Sequence, residues 1–175
     1  SIADYGVQDR WVGNLEGTRE YVRRAVERSL DWTELRVLDP TRGALARQLD
    51  VLRMLKEAFG TETPFIQTIF SPLAQAKNIC GKELLIEHMR TAPDRLMTGL
   101  NTITESTLRF IDAMRRSGVS GIFYAIQHAS YAVISEAEYR EFGRPFDLRI
   151  LEALPEDWWL NVVHLHGSVP MFDLV

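Results

Sequence analysis

The 175-residue chain is 46% hydrophobic and 25% charged with a net charge of −4, a composition that fits one soluble globular domain able to bury a core. That balance makes no electrostatic case for nucleic acid, and no uncharged apolar run reaches the ~20 residues a membrane span requires. One cysteine, Cys80, excludes an internal disulfide and suits a reducing compartment. With no charged-then-apolar leader at the N-terminus, the expected setting is the cytoplasm, with neither nucleic-acid nor membrane partners. The chain opens at Ser1 without methionine and stops in an apolar segment, so we expect an excerpt of something longer.

In chain order, turn signals at Asp4-Tyr5-Gly6, Trp11-Val12-Gly13 and Leu15-Glu16-Gly17 separate short apolar pieces. Tyr21-Val22 and Ala25-Val26 suggest a short strand in a hairpin-like excursion. Arg19, Arg23, Arg24 and Arg28 interleave with Glu16, Glu20 and Glu27, the pattern of a solvated face. Ser29 is placed to cap a short helix over Leu30–Leu35, and Asp39-Pro40 breaks the chain. Leu45, Leu49, Leu52, Leu55 and Phe59 recur at helical spacing and predict a helix over Gly43–Phe59, stopped by Gly60.

Pro64–Phe70 is rich in β formers and reads as a strand buried on both faces. Ser71-Pro72 closes it and opens a helix. Helices follow over Lys82–Arg90 and from Pro93 to about Arg116, the latter with the stripe Leu96, Leu100, Ile103, Thr107, Phe110, Ile111 and Met114. Gly121–Ile126 is a second buried strand. Ser135-Glu136-Ala137-Glu138 is a capping box opening a helix that Gly143-Arg144-Pro145 interrupts. Leu160–Gly167 is the third strand, and a helix start follows at Met171–Val175. Strands alternating with long helices predict neighbouring parallel strands and an α/β fold.

Reactive groups in such folds collect where strands end. Three of the four histidines, His128, His164 and His166, fall there, and strand alternation puts Val162, His164 and His166 on one face. A His-x-His pair can offer two nitrogens to a zinc ion, bind an anionic substrate, or move a proton near neutral pH. Tyr124, Gln127 and His128 end the second strand. The fourth histidine, His88, lies among charged helix residues and is expected at the surface. Cys80, outside any CxxC, reads as a small buried apolar residue. There is no Gly-rich phosphate loop and no G-x-S-x-G elbow.

Four segments together resemble a known family. They are P-F-I-Q-T-I-F-S-P-L-A from Pro64 to Ala74, S-G-V-S-G-I-F-Y-A-I-Q-H-A-S from Ser117 to Ser130, S-E-A-E-Y-R-E-F-G-R-P-F-D from Ser135 to Asp147, and V-V-H-L-H-G with M-F-D-L. In this order and spacing they are similar to uroporphyrinogen decarboxylase and its relatives, from about Trp11 onward. The resemblance implies a partial (β/α)8 barrel, one incomplete domain over residues 1–175. It implies a cofactor-free lyase that removes carboxylates from a tetrapyrrole bound at the C-terminal strand ends, with a matching histidine at His128; from their strand-end positions we expect His128, His164 and His166 to be catalytic. We expect Asn78, Tyr124 and Gln127 to contact substrate, and a homodimer as a further partner. Two positions depart from the decarboxylase pattern, because its tyrosine falls on Asn78 and its serine on Gln127. The same superfamily holds zinc-dependent methyltransferases that pass methyl groups between corrinoid proteins and thiols. They carry His-x-Cys where this chain has His164-x-His166, with a third ligand expected beyond Val175. The leading expectation is decarboxylation without metal. The alternatives are zinc-dependent methyl transfer and a non-catalytic binding member.

Overall fold

The computed structural model describes residues 2–15, 19–60 and 62–175. After a 3-10 turn at Ile2–Tyr5, β1 (Gln8–Trp11) and β2 (Arg19–Arg23) pair antiparallel, every residue of both exposed. The expected hairpin is present and takes in Tyr21-Val22. The Glu16-Gly17 part of its turn lies outside the described residues. Ala25 and Val26 do not join the hairpin. Both backbone N–H groups donate to the Ile79 carbonyl, and Val26 is fully buried.

A 3-10 turn covers Ser29–Glu34. Ser29 lies inside it instead of capping it, because the Asp31 carboxylate takes that role by accepting from the Glu27 and Arg28 amides. The Ser29 hydroxyl accepts from Arg95. Helix α1 spans Gly43–Phe59 as expected, yet its cap comes from far away in sequence. Asp4 accepts from the Ala44 and Leu45 amides at 2.7 and 3.0 Å. A Cβ on Gly43 would lie 2.2 Å from the Asp4 carboxylate, and the backbone there has φ +62°. Only glycine satisfies both.

Strand β3 (Ile66–Phe70) leads into α2 (Pro72–Cys80), α3 (Lys82–Thr91) and α4 (Pro93–Met114). Strand β4 (Gly121–Ile126), α5 (Glu136–Phe142), α6 (Arg144–Glu152), β5 (Val162–Leu165) and a 3-10 turn at Phe172–Leu174 complete the chain. Ser135 and Glu138 form the expected capping box. All seven stripe residues of α4 are buried. Gly99 lets the same helix approach Trp32, where a Cβ would meet the indole at 2.5 Å.

Strands β3, β4 and β5 form one parallel sheet in that order, the arc of a β/α barrel. Its two faces differ. Ile69, Ile122, Tyr124 and Ile126 turn toward the helices and join one apolar cluster with α2, α4 and α6. The opposite face carries Thr68, Phe70, Phe123, Val162 and His164, all exposed or half-exposed. β3 therefore departs from its expected double burial. Thr68 and Phe70 are exposed, and Phe123 beside them on β4 is half-exposed, so the openness belongs to that face of the sheet.

His88 also departs from expectation. It is 4% exposed, and its Nδ1 accepts from the Trp32 indole N–H at 2.9 Å. Burial holds its pKa below the usual imidazole value. The charged neighbours Glu87 and Arg90 turn outward, while Leu85, His88 and Met89 face the core.

Candidate functional site

The C-terminal ends of β3, β4 and β5 lie side by side because the strands are parallel, and the ladder runs past them. Ser71 N–H donates to the Ala125 carbonyl and His166 N–H to the Ile126 carbonyl at 2.9 Å. Ser71, 1% exposed, accepts from the Ala74 amide and caps α2. Pro72 takes the first helical position, where a missing N–H costs nothing.

His164 and His166 share the open face of β5. Their ring centres are 5.8 Å apart, and His164 stacks on Phe123 from the neighbouring strand at 5.2 Å. With Zn–N bonds of about 2.0–2.1 Å, two imidazoles on one zinc ion have ring centres roughly 5–6 Å apart. The 5.8 Å separation of His164 and His166 falls in that range. Among the described residues no group of three His, Cys, Asp or Glu side chains could enclose a metal, so a tetrahedral site needs donors from elsewhere.

The remaining sequence-derived residues divide among different surroundings. Gln127 is half-buried, and its side-chain oxygen accepts from Lys77 Nζ at 2.8 Å. Asn78 lines a cavity of about 490 Å³ along the free edge of β3, with Thr68, Phe70 and Gln75. His128 is 2% exposed, so it cannot line an open cleft with the β5 histidines, and its Nδ1 has no hydrogen-bond partner. Burial, reinforced by Lys77 and Lys82, lowers its pKa to about 4. This imidazole is neutral at physiological pH.

Tyr124 faces the helices, away from His164. It is fully buried, and its hydroxyl donates to Asp147 at 2.7 Å, as does that of Tyr139. Burial pushes the Asp147 carboxyl up to about 6, against the pull of the two hydroxyls. The same burial, together with Asp147, raises both tyrosines. Cys80 is buried as expected, and desolvation pushes its thiol up to about 12, so it carries almost no thiolate.

Three residues were not among the candidates from sequence. Phe123 supports His164. Asp147 anchors the buried tyrosines. Arg24 does not belong to a solvated face. Half-buried, it donates to the Asn78 backbone carbonyl at 2.6 Å and stacks over Tyr21 at 3.7 Å. Phe123, Ala125 and Gln127 alternate along one side of their segment, the signal that could have marked Phe123. Arg24 has Tyr21 nearby, but its acceptor at Asn78 is 54 positions away, and Asp147 meets Tyr139 eight positions and Tyr124 23 positions away, so local sequence alone did not mark either one.

The sequence profile described as Uroporphyrinogen decarboxylase (URO-D) matches residues 13–174. Two curated proteins, each described as Methylcobamide:CoM methyltransferase MtbA, from Methanosarcina acetivorans and Methanosarcina mazei, are 22% identical to this chain over 156 residues. The matches cover 89% of this chain and 46% of each relative, so the chain spans about half the length of the curated relatives it matches. A solved methyltransferase from Methanosarcina mazei superposes with a TM-score of 0.82 at 18% identity, over 96% of this chain and 49% of that one. At that identity the likeness establishes the fold. No helix among the described residues is long and apolar enough to cross a membrane.

Proposed function

We propose a function from one premise: the chain belongs to the uroporphyrinogen decarboxylase family. Within that family, the residues favour zinc-dependent methyl transfer to a thiol over removal of carboxylates. The observation that carries this reading is the His164–His166 pair, two imidazoles on one strand face with ring centres 5.8 Å apart. The relatives at 22% identity, both named as methyltransferases, support it. So do the departures from the decarboxylase pattern, since Asn78 and Gln127 stand where that pattern has a tyrosine and a serine. An amide cannot ionise, and the Gln127 oxygen is engaged by Lys77.

His164 and His166 would hold the ion with further donors from the whole protein. When bound, zinc would keep a coordinated thiol as its thiolate, the nucleophile that methyl transfer needs. The chain's own residues fix where that happens. Phe123 sets the plane of His164, and the His166 backbone is tied to Ile126. The donor, a methylated corrinoid on this reading, would approach over the open face of β4 and β5, and the apolar Phe123 ring would limit water there.

Elemental analysis of the intact full-length protein tests this reading. We expect about one zinc per chain, lost in both His164→Ala and His166→Ala. A parent purified without metal that also fails to bind added zinc overturns the assignment. Turnover of a tetrapyrrole carboxylate by that parent would establish decarboxylation instead.

A further inference from the structure

The segment between β2 and α1 is fastened at its middle by a hydrogen bond to an imidazole. Trp32, fully buried, donates its indole N–H to His88 Nδ1 at 2.9 Å, with the two rings edge to face. The indole also lies against Gly99 of α4, where a Cβ would come within 2.5 Å of it. An indole N–H can only donate. The bond therefore requires a lone pair on Nδ1, which puts the proton of the neutral ring on Nε2. Once the ring gains a second proton both nitrogens are donors, and one N–H would face another. Turning the ring over does not restore the bond, because it presents a carbon to the indole.

A charged ring has acceptors beside it. A cavity of about 600 Å³ opens next to His88, between residues 27–29, α3 and the start of α4. Glu27, Glu87 and Asp94 line it, and among the described residues none of these carboxylates is in an ion pair. The cations nearby are already engaged: Arg28 with Asp31, Arg95 with the Ser29 hydroxyl, and Arg90 with Glu138. Burial holds the ring below the ordinary imidazole value, against the pull of Glu87 and Asp31. The neutral, bonded ring is therefore the state at neutral pH, and its contribution is lost as pH falls through the depressed value.

We propose that Trp32 and His88 form an acid-released latch on the segment that runs from β2 to α1. With the ring neutral, the indole is held against α3 and α4. With the ring charged, the imidazolium turns to the carboxylates of the cavity and the segment is let go at its middle. Elsewhere that segment is tied by Arg24 to the Asn78 carbonyl, by the Ala25 and Val26 amides to the Ile79 carbonyl, and by the Leu38 amide to Ser106 Oγ. Leu38 and Asn78 both line the cavity beside β3, so release reaches the wall of that cavity. The latch requires neither zinc nor a thiol and fails separately from the methyl-transfer reading.

The test is imidazole and indole NMR of the full-length protein between about pH 7.5 and pH 4. At the upper end we expect His88 as the neutral tautomer protonated on Nε2. On acidification, the hydrogen-exchange protection of the Trp32 indole N–H should fall about fivefold or more, the equivalent of one lost hydrogen bond. Its midpoint should coincide with protonation of the His88 ring and lie below 6.5. The Ala25 and Val26 amides should lose protection in the same step, and Glu87→Gln should move the midpoint down. His88→Asn places near the Nδ1 position an amide oxygen, an acceptor that does not titrate in this range, and should keep the indole protected with no step. The tautomer and the shared midpoint are read on the parent, so they decide the matter even if that variant folds poorly. A ring protonated on Nδ1 at pH 7.5, or one still neutral at pH 4, overturns the proposal. So does indole protection that is unchanged once the ring is charged, or the same step in His88→Asn.

Discussion

The two faces of the three-stranded sheet are made of the same four- to six-residue strands, yet they follow different rules. Toward the helices, Ile69, Ile122, Tyr124 and Ile126 are buried and the polar groups are paired, down to two tyrosine hydroxyls on one carboxylate. Toward the other side, Thr68, Phe123, Val162 and His164 remain open, and the side chains that can bind ligands gather there or just beyond the strand ends. One residue step along a strand thus switches between holding the sheet on its helices and presenting chemistry. Tyr124 and Phe123 are neighbours in sequence and opposite in role.

The largest effect that could break this division is a stability measurement. In urea unfolding of the full-length protein, Ile122→Ala should cost ~2–5 kcal/mol, the range for truncating a buried aliphatic side chain. His164→Ala should cost less than about 1 kcal/mol, since half-exposed sites rarely cost more, and should show itself in ligand or metal binding. Equal losses from both would show that the open face also carries the fold.

A smaller effect sharpens the account of the buried face. Burial pushes the Asp147 carboxyl up to about 6, above its ordinary value of 3.8. Between those values the folded state binds the proton more tightly than the unfolded state does. The contribution of Asp147 is therefore greatest at low pH and declines as pH rises through about 6, by at most about 3 kcal/mol. Comparing unfolding of the parent and Asp147→Asn at pH 4.5 and 7.5 checks it. The parent should lose ground to the variant at the higher pH, and a constant difference would refute the shift.

The smallest effect belongs to the edge of the site. His128 should titrate near 4 by imidazole NMR, and Lys77→Met should move that value upward by removing one of the charges that depress it. Because the folded value lies below the ordinary imidazole value of 6.5, the stability associated with a neutral His128 should be lost as pH falls from about 6.5 through 4. Titration near 6.5 in the folded protein would contradict its burial.

Much of the fold was legible because it is local. Helix α1 and strand β4 begin and end where spacing and glycines placed them, and the seven-residue stripe of α4 is the buried one. What failed was non-local. His88 was read from its charged neighbours, although Leu85, His88 and Met89 already share helical spacing. Sequence could not show that Trp32, fifty-six positions away, needs an acceptor there. The double burial expected of β3 assumed a sheet covered on both faces, whereas the face that carries Thr68, Phe70 and Phe123 is open. At the site, alternation along β5 put His164 and His166 together correctly. The position of Tyr124 at a strand end suggested substrate contact, but pleat parity turns it toward Asp147. Arg24 and Asn78 are brought together only by the chain folding back from β2 onto α2.

The bond from His166 N–H to the Ile126 carbonyl has one more consequence. It extends the parallel ladder by a rung beyond β5, so His164 and His166 ride on backbone already fixed by β4. A guest shared by the two rings has only side-chain rotation left to freeze, at roughly 0.5–1.5 kcal/mol per side chain. On a free loop, each residue would add about 1–2 kcal/mol of backbone entropy. The protein thus meets most of the ordering cost during folding, before any guest arrives, and binding strength at this pair is set by the donors themselves.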